Sequence, residues 1–371
     1  MSFVLAGIGT ALPEHRLERQ DAVELHTTFC RIDETRARTL RALYRRSGIV
    51  TRHSVLLHQS GGSVADRQSF YAPAVDEDDR GPTTEQRMAI YEERAPALAA
   101  EAARRALGEA SIEPSEVTHL ITVSCTGFIS PGVDAAIIGA LGLPRTTERT
   151  NVAFMGCHGS LNGLRVARSF TDADPDAVPL VCSVELCTLH FAYGWDLNML
   201  VANALFSDGA AAVVGRSDAS VEGNGTAVDD RPWRITATGT LLMEGTEEDM
   251  TWRIGDHGFR MTLSARVPVL IERHLRGWLT EWLEQQGFGV EDVQSWAVHP
   301  GGPRILSAVE QALGLSRDDT AVSRAVLSEC GNMSSATILF ILARMRAAAA
   351  PRPCVALAFG PGLVVEATLL A

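Results

Sequence analysis

Short apolar runs alternate with helical patterns along nearly the whole chain, and the alternation occurs twice. In the first part, residues 3–9, 117–124, 152–155, 178–184 and 210–214 read as strands, and 94–107 and 133–141 as helices. In the second, 233–242 and 293–298 read as strands, and 267–286, 304–313 and 334–348 as helices. Residues 355–359 and 363–370 close as a hairpin across Gly360-Pro361-Gly362. The helix over 267–286 carries Leu270, Ile271, Leu275, Trp278, Leu279 and Trp282 on one side, the stripe of a helix that buries one face. Strands alternating with helices predict layered α/β sheets. Gly223-Asn-Gly-Thr226 and Asp229-Asp230 read as a junction, so the expected halves are 1–220 and 221–371.

With 371 residues and 46% hydrophobic residues, the chain is long enough for two fused halves with a large core. Its net charge of −12 argues against a nucleic-acid partner. All 33 basic residues are arginine. Seven cysteines, an odd number without a CxxC pair, suit a reducing cytoplasm and argue against a disulfide framework. The apolar start, Ser2 to Thr10, lacks a basic leader and reads as a first strand. No stretch reaches the roughly 20 apolar residues of a membrane span.

Three separated segments carry candidate chemistry. In Asn151-Val-Ala-Phe-Met-Gly-Cys157-His-Gly-Ser-Leu-Asn-Gly-Leu-Arg165, a buried strand gives way to a helix at Cys157. A helix N-terminus favours negative charge, so a thiol there is expected to have a lowered pKa; packing filler is the alternative. In Trp296-Ala-Val-His299-Pro-Gly-Gly-Pro303, an imidazole ends a strand, as a structural residue or as a base. In Leu327-Ser-Glu-Cys-Gly-Asn332-Met-Ser-Ser-Ala336, Asn332 precedes a helix, as an N-cap or as a polarising donor. Cys and His together make a thiolate–imidazolium nucleophile, and Asn adds a donor.

These segments, with Ala204-Leu-Phe206-Ser-Asp-Gly-Ala and Phe359-Gly360-Pro361-Gly-Leu363, resemble the type III polyketide synthases, the chalcone and stilbene synthase family on the thiolase fold. The resemblance runs from Gly7 to the C-terminus and covers five motifs in order. It implies two similar halves stacked as α-β-α-β-α layers, a homodimer, and a reaction with no metal, flavin or nicotinamide. Cys157 would take a starter acyl group from a CoA thioester, and His299 would hold Cys157 as thiolate. His299 and Asn332 would stabilise the enolate formed when malonyl-CoA loses CO₂. A cycle of extension and ring closure would give a pyrone, a resorcinol or a related phenol.

The resemblance also assigns a pocket. Phe206 matches one gatekeeper between CoA tunnel and cavity, and Met261 the second. Cys125, His190, Trp252, Ser334, Gly360 and Pro361 fall at or near cavity positions, and Glu185, Cys125 and Ser334 are candidates for a hydrogen-bonded set that steers ring closure. Met261 suits a non-aromatic or long acyl chain, and Trp252 would narrow one wall. The segment Val184-Glu-Leu-Cys187 resembles the bacterial branch that includes tetrahydroxynaphthalene synthases. Met250 to Gly258 looks closer to alkylresorcinol and alkylpyrone synthases. CoA is polyanionic, so an acidic protein needs a local basic patch. Arg38, Arg41 and Arg46 on the expected helix 34–46 supply one, unless they are a solvated charged face. Residues 59–87 are expected to be a surface loop, or a lid over the tunnel. A β-ketoacyl-carrier-protein synthase III, which condenses once on a carrier protein, is the alternative enzyme; Gly301-Gly302-Pro303 and Phe359-Gly-Pro-Gly favour the polyketide branch. A papain-like protease would need a different sequence around its cysteine, and a non-catalytic relative would be expected to lose Cys157, His299 or Asn332.

Overall fold

The computed structural model describes residues 2–223 and 232–371. The first half runs β1 (Phe3–Ala11), β2 (Arg16–Glu18), α1 (Arg19–Phe29), α2 (Glu34–Arg46), β3 (Thr51–His53), α3 (Thr84–Ala110), β4 (His119–Ser124), α4 (Val133–Leu141), β5 (Glu148–Ala153), α5 (Gly159–Ala173), β6 (Pro179–Leu186), α6 (Leu197–Leu205), β7 (Asp208–Ser217) and α7 (Asp218–Gly223). The second runs β8 (Arg234–Leu242), β9 (Met250–Gly255), β10 (Gly258–Leu263), α8 (Val267–Glu284), β11 (Ser295–Val298), α9 (Pro303–Leu313), α10 (Ala321–Cys330), α11 (Thr337–Ala347), β12 (Cys354–Gly360) and β13 (Val364–Leu370). Of the expected junction, residues 224–226, Asp229 and Asp230 lie outside the described residues.

The main sheet has the order β11-β12-β13-β8-β1-β7-β6-β4-β5. Its two blocks meet where β1 pairs β8, at Phe3–Ile235 and Val4–Arg234. Side chains alternate across each strand, so the residues on the two faces identify the layers. Leu180, Cys182 and Val184 of β6 pack with Ala99, Ala102 and Ala103 of α3, whereas Val181 points the other way, toward Leu161 and Leu164 of α5. In the second block, Ala356 and Ala358 of β12 share that central cluster, and Val355 and Leu357 pack outward with Leu275 and Leu279 of α8 and Leu306 of α9. The layers are therefore α3/α4, sheet, α5/α11, sheet, α8/α9. Helix α11, in the middle, is apolar nearly all round, from Ile338 to Leu342, as a helix covered on both sides must be. Each such Ile, Leu or Phe contributes about 1.5–3 kcal/mol on burial.

Three expectations are corrected. The run 152–155 is not a buried strand: β5 ends at Ala153, lies at the sheet edge and is half-exposed, and Met155 is 39% exposed. Helix α3 begins ten residues before 94, where Thr83 and Gln86 form a capping box. The helix passes through Pro96. The segment 59–87 is only partly a surface loop, because Tyr71, Ala74 and Arg87 are buried. Arg87 is completely enclosed and donates to the carbonyls of Pro82, Leu189 and Phe191 and to Tyr71 Oη. The hairpin β9–β10 was not foreseen; it pairs Trp252 with Met261 across the two strands.

Candidate active site

Cys157 sits in a single 3₁₀ turn, Gly156–His158, between β5 and α5. The chain reaches it through two left-handed residues, Phe154 at φ 59° and Gly156 at φ 75°. A bulky residue rarely adopts such a φ; Phe154 is held there with its ring against those of Phe128 and Phe259. Gly156 is required twice over, since a Cβ there would lie 2.4 Å from Cδ of Pro361. The Gly360-Pro361 loop thus presses directly on the cysteine's turn, and Pro361 and Cys157 line the same cavity.

Asn332 is buried and fixed through its backbone. Its N–H donates to Leu205 O at 3.0 Å and its carbonyl accepts from Ser207 N–H at 2.9 Å, which sets it beside Phe206. Its Oδ1 accepts the Ser334 N–H at 2.9 Å across the turn that leads into α11, but Asn332 is not the N-cap of that helix, which is Ala336. The Asn332 side chain and the Ser334 hydroxyl, 3.6 Å from Cys157 Sγ, both stabilise the thiolate. Burial outweighs them and pushes the Cys157 thiol up to about 12, and the negative charge of Glu185 adds to the rise. The lowered thiol pKa expected from the helix end alone is not what this interior gives.

His299 follows β11 and is 1% exposed. Its backbone N–H continues the strand by donating to Leu357 O at 2.8 Å. Among the described residues, neither ring nitrogen has a hydrogen-bond partner, Cys157 included. Burial pushes the imidazole down to about 3, and the charge of His158 lowers it further. The expected resting thiolate–imidazolium pair is therefore opposed at both ends, by the desolvation of two charges. A buried imidazole with two unpaired nitrogens is costly, about 1–3 kcal/mol per group, and is suited to a group that pairs with a ligand.

Glu185 is buried and its carboxyl is raised by burial. It accepts from Thr126 Oγ1 at 2.7 Å, from Cys125 N–H at 3.1 Å and from Ser335 Oγ. Cys125 Sγ lies 3.5 Å from Glu185 Oε2 and 3.1 Å from Ser334 Oγ. Glu185, Cys125, Ser334 and Cys157 thus form one continuous polar chain. The Cys125 thiol is itself pushed well up by burial and by the Glu185 charge.

A cavity of about 40 Å³ over Cys157 is lined by Cys125, Cys187, Phe206, Trp252, Met261 and Ser334, among others. A second chamber, of about 70 Å³, lies behind it; Cys187, Phe206 and Trp252 belong to both. His190 lines the second chamber. Its Nδ1 accepts the Phe259 N–H at 3.0 Å, so its Nε2 carries the proton donated to Thr126 O at 2.8 Å. The ring stacks on Phe259 at 4.1 Å and meets Trp252 edge-on. Trp252 in turn donates from Nε1 to Cys125 O at 2.7 Å. The structure thus gathers the sequence-nominated Phe206, Met261, Cys125, His190, Trp252, Ser334 and Pro361 around these two spaces. Gly360 supports the site from behind. Cys187 and Thr126 were missed as individual residues, although Cys187 lies in the quoted segment Val184-Glu-Leu-Cys187.

Arg38, Arg41 and Arg46 are exposed on α2. Arg41 pairs with Glu34 at 2.5 Å. The end of α2 abuts the turn after His299: a Cβ on Gly48 would lie 3.5 Å from Cγ of Pro303. Arg46 is thus near the outer side of the site, and Arg41 and Arg38 lie about one and two turns back along the helix.

Comparison with known proteins places this arrangement. The model of the chalcone and stilbene synthases' N-terminal domain matches residues 2–219, and that of their C-terminal domain residues 235–371. A 1,3,6,8-tetrahydroxynaphthalene synthase of Streptomyces peucetius subsp. caesius is 34% identical over 370 residues, 99% of this chain and 92% of the relative. The alpha-pyrone synthesis polyketide synthase-like Pks18 of Mycobacterium tuberculosis is 31% identical over 371 residues, 99% of this chain and 90% of its own. The crystal structure of PKS-I from the brown alga Ectocarpus siliculosus superposes with a TM-score of 0.90 at 32% identity, covering 100% of this chain and 98% of that one. The single-condensation, carrier-dependent alternative finds no support among these relatives. The chain belongs to the chalcone and stilbene synthase family and is a type III polyketide synthase, a CoA-dependent acyltransferase on the thiolase fold.

Proposed function

We propose that Cys157 is the acyl-carrying nucleophile and that His299 and Asn332 serve both halves of its cycle. The observation that carries this is a buried imidazole, unpaired at both nitrogens, together with a thiol that Asn332 and Ser334 pull toward the thiolate. When an acyl-CoA enters, His299 takes the Cys157 proton as sulfur attacks the thioester carbonyl. CoA leaves with the electron pair of the broken C–S bond, and the proton returns to it. Exchange of one thioester for another is nearly thermoneutral, so the barrier lies in making the thiolate, and proton transfer at the moment of attack avoids a resting charged pair.

Malonyl-CoA follows. Cleavage of its carboxylate bond releases CO₂ and leaves the electron pair on the thioester as an enolate. Donors from Asn332 and from His299 stabilise that oxygen; one such donor is worth about 3–4 kcal/mol. The enolate carbon attacks the acyl-Cys157 carbonyl, the acyl–sulfur bond breaks with its electron pair returning to Cys157 as thiolate, and the chain, longer by two carbons, is left on the CoA of the extender. The sequence is redox-neutral and draws its carbanion from decarboxylation, so it calls for no metal, flavin or nicotinamide. Arg46, Arg41 and Arg38 supply the positive surface for the CoA phosphates.

The inner wall favours an aliphatic starter: Met261, Phe206 and Trp252 are apolar, and the chamber behind them is lined by Leu17, Leu25, Leu57 and Met199. A pyrone or resorcinol carrying an alkyl chain is the product this favours; the Glu185–Cys125–Ser334 chain is placed to direct ring closure. A homodimer is supported by the half-exposed edge strand β5 with Met155 beside it and Phe128 at 40% exposure nearby, an edge that a partner would cover. Among the described residues no helix is long and apolar enough to cross a membrane, and a cytoplasmic site fits seven free cysteines.

Mass spectrometry of the intact protein with acyl-CoA starters of graded length, followed by malonyl-CoA, tests the scheme. An acyl adduct on Cys157, and pyrones or resorcinols that vanish in Cys157→Ala, are expected. Product from Cys157→Ala, or an adduct on another cysteine, overturns it.

A further inference from the structure

The residue after the nucleophile is itself built into a charged network that the reaction above does not use. His158 is buried, 1% exposed. Its Nδ1 lies 2.7 Å from Asn162 Oδ1, one helical turn on. Asn162 Nδ2 donates to Glu366 Oε1 at 2.9 Å. The amide's hydrogen-bearing end is thus spent on the carboxylate, its oxygen faces the imidazole, and His158 Nδ1 is the donor. Arg165, a further turn along α5, closes the chain on Glu366 Oε2 at 2.9 Å. Asn162 and Arg165 lie on one stripe of α5, and His158, the residue just before that helix, continues it. Glu366 meets it from β13, on the face opposite Val365 and Ala367. Gly360 covers the remaining edge of the ring: a Cβ there would lie 2.1 Å from His158 Cδ2 and 2.5 Å from Nε2. The imidazole can neither flip nor leave.

The ionisable groups facing His158 are Arg165 from its own helix, Glu366 from β13, His299 from the end of β11, and its neighbour Cys157. Burial lowers the His158 pKa. The Asn162 hydrogen bond and the Glu366 charge raise it, and the Arg165 charge lowers it again. A positive charge on His158 would also make His299 a weaker base.

We propose that His158 is a positioning residue for the Cys157–His299 pair, kept uncharged by its burial and by an Arg165–Glu366–Asn162 chain whose opposite charges cancel. Glu366 alone, inside a low-dielectric layer, would draw a proton onto His158. Arg165 balances it, so no cation forms beside His299, and His299 remains able to take the Cys157 proton. The inference rests on the roles given above to Cys157 and His299.

Two readouts test it: the rate of Cys157 alkylation by iodoacetamide against pH, and the acid limb of kcat/KM for polyketide formation. Arg165→Gln should move the acid limb of both upward by about one pH unit, the scale of one nearby opposite charge. Arg165→Lys should return it to the wild-type position. The double variant Arg165→Gln/His158→Phe should also return it, because the titrating imidazole is gone. An unmoved limb in Arg165→Gln, or a moved limb that stays moved in the double variant, overturns the proposal; a merely structural salt bridge would lower activity equally at all pH values. Ring ¹⁵N shifts of the histidine-labelled wild type need no variant: an Nδ1–H neutral His158 at pH 7 is expected, and an imidazolium there overturns it. Alkylation reports the Cys157 thiol whether or not a polyketide forms, so a failure of the proposed reaction is told apart from a failure of this chain.

Discussion

Ser334 Oγ lies 3.6 Å from Cys157 Sγ and joins the nucleophile to Glu185 through Cys125. Its hydroxyl is the largest contribution that opposes the burial of the thiol. Ser334→Ala removes one hydrogen bond to sulfur, worth about 1 kcal/mol, and should slow iodoacetamide alkylation of Cys157 at pH 7 about fivefold. It also cuts the chain from Glu185, so the ratio of lactone to carbocyclic products should change more than total turnover. An unchanged alkylation rate would mean that the hydroxyl serves Cys125 alone.

Asn332 has two duties that a substitution can separate. Its backbone bridge to Phe206 does not depend on the side chain, whereas its side chain serves Cys157 and the Ser334 turn. Asn332→Ala should therefore keep the fold and lower CO₂ release from malonyl-CoA about 100- to 1,000-fold, the effect of one lost oxyanion donor. Acyl loading from the starter should fall much less. Equal losses in loading and decarboxylation would assign Asn332 to the thiol and not to the enolate.

The layers were legible in the sequence, and so were the positions of Cys157, His299 and Asn332 at the ends of regular elements, because both rest on short-range pattern. Short apolar runs in β6 and β12, the one-sided apolar stripe of α8, and glycines beside Cys157 and Asn332 are all visible within a dozen residues. What was not legible depends on distance or on depth. Glu366 is 204 positions from Asn162, so nothing near Cys157 announces the His158 network. The hairpin β9–β10 carries Arg253, Asp256, His257 and Arg260 and is partly exposed; it becomes sheet only because its two strands pair with each other. The pKa of Cys157 was misjudged because a helix end can be read from sequence, while the desolvation that outweighs it cannot.

Trp252 stands between the two chambers, held by its bond to Cys125 O and by contacts with the rings of His190, Phe206 and Phe259. Trp252→Ala should join the spaces and extend the accepted starters toward longer aliphatic chains. Ala202→Phe fills the far chamber from α6 and should reject long starters first, at a stability cost of about 1–3 kcal/mol for overpacking. Turnover of a ladder of straight-chain acyl-CoAs distinguishes the two. If both variants keep the wild-type chain-length profile, the rear chamber does not hold the acyl chain.

Stability should fall steeply in mild acid. His26, His190 and His299 are fully buried, and burial pushes each down to about 3. Unfolded, each titrates near 6.5, so below that pH the unfolded chain holds three protons that the folded chain refuses. Asp208 works the other way: burial raises it to about 6, so the folded chain gains one proton that the unfolded chain takes up only near pH 4. Three protons less one leave about two, a loss of about 2–3 kcal/mol per pH unit as the pH falls from 6 toward 4. The stabilising effect of the neutral histidines is complete above pH 6.5 and is lost on the way down to 3. Urea unfolding between pH 7 and 4.5 measures the slope. His26→Gln should lower it by about one proton's worth; a slope that stays the same would mean that His26 is already charged in the folded protein.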